Sequence, residues 1–433
     1  MNKRGLLMSL RYLRYLTLAM AVFALSCGTD SRNISTPERG ASETGPAENL
    51  VLAQPYATPS AQNRSKGIGW PPGRLPTAPS GFTVSLFAEK LDNPRWTYQL
   101  PNGDVLAVES IRESPNRPEE KSANRITLFR DTNKDGRPDQ RETFLTGLNM
   151  PFGMLLLGDW FYVGNTNGLV RYPYRSGQTR IEAKGESILP LPAGGHFTRN
   201  IIADPSGKKL YIAVGSTGNI DEDKRDSNDP RRAAILEVNP NGSGMRVFAG
   251  GLRNPVGMDW EPRNNALWTV VNERDGLGDE LVPDYLTSVR DGAFYGWPYS
   301  YFGQNEDPRK KGERPDLVKK AIKPDYAVGS HVAALGLAFY RGKAFPSRYH
   351  GGAFIGMHGS WNRSNFVGYK VAFVRFDNGK PAGPLEDFLT GFIADEKTSD
   401  VYGRPVGVTV LADGSLLVAD DWGGKIWRVS ASR

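Results

Sequence analysis

From residue 81 onward the chain repeats one pattern of apolar and polar positions. A loop leads into a short apolar strand, a turn of Gly, Asp or Asn follows, and a second apolar strand returns. The first instance runs from Asn93-Pro-Arg-Trp through Pro101-Asn-Gly-Asp to Val105-Leu-Ala-Val-Glu. The second joins Met150-Pro-Phe-Gly-Met to Trp160-Phe-Tyr-Val-Gly, and the third joins Thr198-Arg-Asn-Ile-Ile to Leu210-Tyr-Ile-Ala-Val-Gly. The fourth starts at Asn254-Pro-Val-Gly-Met, the fifth at Ala334-Leu-Gly-Leu-Ala-Phe, and the sixth at Arg404-Pro-Val-Gly-Val. Strand–turn–strand units recurring every roughly 50 to 80 residues predict propeller blades with loop insertions of unequal length. The fold expected is all-β, a six-bladed β-propeller over residues 81–433. A pair of β-sandwiches is the competing architecture, and it does not generate a recurring inner-strand signature.

Composition agrees with many short strands and tight turns: 49 Gly, 31 Pro and 10% aromatic residues in 433. The net charge of +7 is modest for this length and forms no clustered basic stripe, so nucleic acid is not an expected partner. The amino terminus changes the picture more. Lys3, Arg4, Arg11 and Arg14 precede a short apolar run, residues 16–25, which ends at Ser26 and Cys27. This is the order of a secretory signal, and the run is shorter than the roughly 20 residues that span a bilayer. Residues 1–27 are therefore read as a signal peptide, with Cys27, the single cysteine, as a lipidation site; a plain signal with an incidental cysteine is the alternative. Either way the protein is expected to be exported, as a periplasmic protein or a membrane-anchored lipoprotein. Residues 28–80, rich in Ser, Thr, Pro, Ala and Gly, are read as a flexible linker whose end around Trp70 packs on the domain.

Histidine occurs at only four positions, His196, His331, His350 and His358. His196 stands just before the inner strand of the third repeat, where a propeller opens onto its channel mouth. A neutral imidazole there can take a proton from a hydroxyl group. Arg253-Asn254 and Arg404 begin the inner strands of the fourth and sixth repeats, so ring closure would gather them round one axis. Two guanidiniums and an imidazole about one pocket suit an anionic cofactor or substrate. The alternatives are a histidine bonded to loop backbone and arginines that pair with acids of neighbouring blades.

At these residues a resemblance becomes specific. Gly195-His-Phe-Thr-Arg-Asn-Ile, followed by Asp204-Pro-Ser-Gly-Lys-Lys-Leu-Tyr-Ile-Ala-Val-Gly-Ser, resembles the catalytic-histidine blade of the PQQ-dependent glucose/sorbosone dehydrogenases. Gly251-Leu-Arg-Asn-Pro-Val-Gly-Met is similar to their arginine–asparagine loop. Asn272-Glu-Arg-Asp-Gly-Leu-Gly-Asp-Glu-Leu, Tyr295-Gly-Trp-Pro and His358-Gly-Ser-Trp-Asn-Arg resemble the sorbosone branch. The resemblance implies a propeller holding PQQ over the channel with Ca²⁺ at the quinone, oxidising a sugar and passing electrons to an external acceptor. It implies that His196 takes the hydroxyl proton as hydride moves to the quinone, and that Arg253 steadies the charge growing on quinone oxygen, assisted by Asn254. It further implies that Arg404 pairs with a PQQ carboxylate, that Thr217 lines the site, and that carbonyls around Glu273, Arg274 and Asp275 hold Ca²⁺. The family's PQQ-contacting lysine has no clear counterpart, and His358 and Arg363 are the nearest candidates. Val256 and Val406 stand where soluble glucose dehydrogenases carry Gln and a second Arg, which argues against glucose as the preferred substrate.

Outside those motifs, Asp131-Thr-Asn-Lys-Asp-Gly-Arg-Pro-Asp-Gln-Arg-Glu fits the spacing of a twelve-residue calcium loop. Its ligands would be Asp131, Asn133, Asp135, Asp139 and Glu142, with Gly136 at the bend. Its flanks read as strands, so it is a calcium-braced hairpin or a solvated Asp/Asn/Gly turn, not an EF-hand. Most tryptophans read as blade core; Trp361, beside His358, is the candidate for stacking on substrate. No dinucleotide fingerprint is present. A calcium-dependent lactonase or esterase on the same architecture, and a non-catalytic propeller used for binding, are the competing functions.

Overall fold

The computed structural model describes residues 42–116 and 118–432. The expected signal peptide, Cys27 and the first part of the expected linker lie outside them. Among the described residues the strands form five four-stranded antiparallel sheets and one of five strands, beside two small sheets. One short α-helix, Pro315–Lys320, sits in an insertion of the fourth sheet.

Each large sheet begins with one of the strands that the repeats predict: Pro94–Gln99, Gly153–Leu157, Ile201–Ala203, Pro255–Trp260, Ala334–Phe339 and Pro405–Val410. These six strands meet one another in sequence order, and the sixth returns to the first, so they close a ring. The ring is sealed by Phe82–Ala88, which pairs with Lys425–Ala431 as the outermost strand of the last sheet. Middle strands such as Val105–Glu109, Leu210–Val214 and Ala353–Met357 are buried along their whole length, which is why they read as continuous apolar runs. Outer strands such as Gln140–Leu145 alternate, as expected where one face meets water.

The recurring glycine of the inner strands has a packing reason. A Cβ on Gly153 would sit 2.6 Å from the Arg199 carbonyl of the next sheet, one on Gly257 2.6 Å from Leu337 N, and one on Gly336 2.2 Å from the Val406 carbonyl. Gly407 meets the first sheet at Arg95 in the same way, 2.7 Å from its carbonyl. At each point one backbone rests on the next, and a methyl group would pry the ring open. Gly336→Ala is expected to cost about 1–3 kcal/mol by overpacking; a thermal melt equal to wild type would contradict the close approach. Beneath the glycines a single apolar cluster takes in Trp96, Phe152, Val256, Leu335 and Val406, all within or beside inner strands. Val256 and Val406, the two departures from the glucose dehydrogenase pattern, are fully buried there.

The reading of residues 28–80 as a flexible linker is corrected for residues 42–80. Thr44–Pro46 adds a fifth strand to the fourth sheet, paired with Tyr326–Ser330. Glu43 holds both guanidinium ends of Arg363 at 2.5 and 3.0 Å. Farther on, Thr58 donates to Glu280 at 2.5 Å, and Lys66–Gly67 pairs in parallel with Asp400–Val401. The Trp70 indole donates to Asp420 at 2.6 Å and packs against Phe392, Tyr402 and Trp427. The segment is a strap laid over three sheets. It is held by hydrogen bonds, one ion pair and one large ring, none of which leaves an apolar periodicity to read.

Candidate active site

Because the inner strands run side by side round the ring, their first residues share one end, as do the last residues of the strands that return to them. Loops from every sheet meet there. His196 precedes Ile201–Ala203, Arg253 and Asn254 precede Pro255–Trp260, and Arg404 precedes Pro405–Val410. Thr217 follows Leu210–Val214, the segment 272–275 follows Leu267–Val271, and His358 follows Ala353–Met357. Gly215 lets two of these loops touch: a Cβ on it would fall 2.3 Å from Asn254 Oδ1 and 2.7 Å from His196 Cβ.

His196 is half-buried and held on one side only. Its backbone N–H donates to the Ser216 carbonyl at 2.9 Å, and its Nδ1 lies 2.8 Å from the same oxygen. A carbonyl can only accept, so Nδ1 carries the proton and Nε2 presents its lone pair. Burial, followed by the nearby Arg253 guanidinium, pushes the imidazole down to about 3. The ring is therefore expected to stay neutral from physiological pH down to about 3, and ¹H–¹⁵N correlation spectra across a pH titration read this directly. A midpoint near the ordinary histidine value of about 6.5 would contradict the geometry.

Two carboxylates, the buried Asp421 and the half-buried Asp275, organise the cations at this end of the ring. Asp421 accepts from Arg95, from His358 Nε2 at 2.9 Å, and lies 3.4 Å from Arg404 Nε. Those partners hold its carboxyl far below the usual range although burial opposes them. His358 is pushed down to about 4 by burial and by Arg404, so it is a neutral donor here. Asp275 lies 3.7 Å from Arg253 and 3.2 Å from His331 Nδ1. The Arg253 fork is spent on backbone: it donates to the carbonyls of Glu273 at 2.7 Å, Asn272 at 3.1 Å and Asn219 at 3.2 Å. Buried and without a hydrogen-bond partner at this end are Arg95 Nε, Asn254 Oδ1, and Arg404 Nε and Asp421 Oδ1, which face each other at 3.4 Å. Such groups cost free energy unless a ligand meets them.

Of the residues singled out in the sequence, His196, Arg253, Asn254 and Asp275 form one group, and Arg404 and His358 form a second around Asp421. Thr217 is adjacent, but its hydroxyl and its N–H are both bonded to Asp226. Arg363 is engaged elsewhere: Glu43 of the strap pairs with it, and it donates to the Asp279 carbonyl at 2.9 Å. Arg274 is spent on an ion pair with Asp307. Nor does the 131–142 loop draw five ligands to one point. Asp131 accepts from Gly136 N at 2.7 Å, Asp135 from Arg137 N at 2.8 Å, and Asp139 from Thr132 Oγ1 at 2.7 Å, so the loop is closed by its own turns. Glu142 lies away on the outer strand Gln140–Leu145. Among the described residues no three His, Cys, Asp or Glu side chains gather as a metal site. Sequence reading missed Arg95, Asp421 and His331. Arg95 follows its strand's opening proline whereas Arg253 and Arg404 precede theirs, which hid it from the shared register.

Comparison with known proteins agrees with this geometry. The family profile described as Glucose / Sorbosone dehydrogenase matches residues 185–362, which carry His196, Arg253, Asp275 and His358; a TrAA12-like profile matches residues 303–432, which carry Arg404 and Asp421. An uncharacterized protein of Borreliella burgdorferi is 36% identical over 236 residues, 54% of this chain and 60% of its own length. The aldose sugar dehydrogenase YliI of Escherichia coli is 31% identical over 259 residues, 55% of this chain and 61% of its own. The chain thus spans about three fifths of the length of these curated relatives. The holo form of the pyranose dehydrogenase PQQ domain from Coprinopsis cinerea shares the fold with a TM-score of 0.68 at 20% identity, over 84% of this chain and 98% of that one. The loops that carry His196, Arg253, Asp275 and His358 thus lie inside the segment that matches the glucose/sorbosone dehydrogenase profile, and the aldose sugar dehydrogenase of Escherichia coli is similar over about half of the chain.

Proposed function

We propose that the six large sheets are the blades of a six-bladed propeller, and that it oxidises aldoses or related sugar aldehydes and alcohols with PQQ and calcium, passing the electrons to an external acceptor. The observation that carries this reading is His196: its Nδ1 is tied to Ser216 and its Nε2 is free near the buried Arg253 guanidinium. The names of the Escherichia coli and Coprinopsis relatives, an aldose sugar dehydrogenase and a PQQ-dependent pyranose dehydrogenase, point the same way.

The donor set fits an anionic polycarboxylate. Arg95 keeps a buried Nε–H without a hydrogen-bond partner, and Arg404 Nε has only the Asp421 carboxylate at 3.4 Å. Arg404, Arg95 and Asn254 would hold PQQ, which supplies a hydride acceptor when bound. His196 would take the hydroxyl proton at Nε2 while Ser216 keeps the ring in register. Arg253, locked by three carbonyls, offers a fixed positive field that needs no rearrangement as charge develops. The carbonyls of Glu273 and Asp275 accept from Arg253, and from Asn219 and Arg274. A cation placed on them would meet those guanidiniums, so these carbonyls do not fit calcium while the arginines hold them. A lactonase would need carboxylates converging on a metal, whereas Asp275 and Asp421 are spent on arginine and histidine. Export, with or without lipid at Cys27, stands as part of the same proposal and rests on the basic-then-apolar amino terminus.

The deciding experiment is dye reduction by purified protein given PQQ and Ca²⁺ with a panel of aldoses. Turnover that depends on PQQ is expected. No turnover, together with no PQQ binding by calorimetry, would remove the dehydrogenase reading.

A further inference from the structure

Beyond the reacting centre, we propose that Trp361 and Trp422, braced by the strap, form a second sugar subsite at the channel mouth, which takes a neighbouring ring of an oligosaccharide. This rests on the sugar-oxidising reading above. Of the nine tryptophans, all described, only these two are exposed, at 39% and 41%. A large apolar ring left in water beside a functional cleft is a common mark of a binding surface.

Both stand on the rim of the site. Trp361 lies between His358, which is bonded to Asp421, and Asn362, whose Oδ1 accepts from Gly276 N at 3.0 Å, next to Asp275. Trp422 directly follows Asp421. The His358–Asp421 bond ties their two loops together, so the indoles share one side of the mouth.

The strap fixes them from outside. Asn63 N donates to the Trp361 carbonyl at 2.9 Å, and Asn362 Nδ2 donates to the Ala61 carbonyl at 2.8 Å. Gly67 presses so closely on Trp422 that any side chain there would fall on the indole itself. The Arg64 guanidinium lies 4.9 Å from the Trp361 ring centre, and that of Arg404 lies 4.2 Å from the Trp422 ring centre.

Exposed indoles, each stacked on one side by a guanidinium that carries further N–H donors, match one ligand chemistry well. A pyranose offers a C–H face for stacking and an equatorial belt of hydroxyls for hydrogen bonds. A bare hydrocarbon chain would leave the guanidiniums unanswered. Because the indoles are held in place before binding, little ordering cost remains for the ligand to offset.

The test uses the full chain without PQQ, titrated with cellotriose, maltotriose and glucose, and read by tryptophan fluorescence and saturation-transfer NMR. At least one trisaccharide is expected to bind about tenfold tighter than glucose. Trp361→Ala and Arg64→Ala, each exposed and so tolerable to the fold, are expected to erase that advantage while glucose affinity and melting temperature hold. Equal affinity for glucose and both trisaccharides, or an advantage that survives both substitutions, overturns the proposal. Trisaccharide binding without any dye reduction would instead remove the oxidising reading and leave the subsite standing.

Discussion

His196→Ala is expected to lower kcat for sugar oxidation by about 10²- to 10⁴-fold, the range that a positioned general base contributes, with little change in KM or in PQQ affinity. The expectation follows from what the ring does and does not touch. Its Nδ1 is bonded to the Ser216 carbonyl and lies 3.1 Å from the Ser216 hydroxyl, while its backbone N–H repeats the hold. These bonds set the tautomer and the ring plane, and they leave Nε2 with its lone pair toward the mouth. The alanine variant keeps the backbone bond and the loop, so the loss falls on proton transfer and not on binding. The acid limb of kcat/KM should lie below the ordinary histidine value, because burial and Arg253 disfavour the imidazolium. An anion bound among the arginines offsets part of that repulsion, so the limb should move upward in the kcat profile. A variant with wild-type kcat would show that the proton leaves by another route.

How much of this was legible in the sequence depends on what each element leaves in a linear pattern. The six inner strands announced themselves because each is apolar, opens on a polar or proline-bearing loop, and four carry the glycine that lets the next sheet approach. The register of those strands then placed His196, Arg253, Asn254 and Arg404 at one end without any knowledge of distances. What the pattern could not convey is which partner a side chain meets. Arg363 has the same chemistry as Arg404, yet Glu43, some 320 residues earlier, pairs with it. The 131–142 loop has the residue types of a calcium site, but its carboxylates satisfy the loop's own amides first. Asp421 stands one residue past the strand Leu416–Asp420, with nothing in the pattern to single it out, and proves to be the hub of two guanidiniums and a neutral imidazole. The strap was illegible for the reason that it is ordered: its order comes from contacts far along the chain.

That hub leads to a second large effect. Asp421→Ala is expected to destabilise the folded protein by about 3–5 kcal/mol, the cost of breaking a buried ion pair from one side. Its carboxylate is buried, as is Arg95, and Arg404 and His358 meet the same two oxygens. Removing it leaves two guanidiniums facing each other with no counter-charge, and takes the acceptor away from His358. The pH dependence has a definite sign. The folded carboxyl titrates far below its unfolded value, so its contribution is present in full above the ordinary Asp range and is lost as pH falls through that range and below. The gap between wild type and variant in urea unfolding should accordingly be widest near neutrality and shrink in acid. A small anion should act unequally on the two proteins: sulfate has a vacancy to fill between Arg95 and Arg404 in the variant and meets Asp421 in the wild type. Sulfate is therefore expected to recover part of the lost stability in Asp421→Ala and little or none in the parent. Equal stability of the two proteins at neutral pH, or equal response to sulfate, would mean that the cations are compensated elsewhere and that Asp421 is not what assembles this end of the ring.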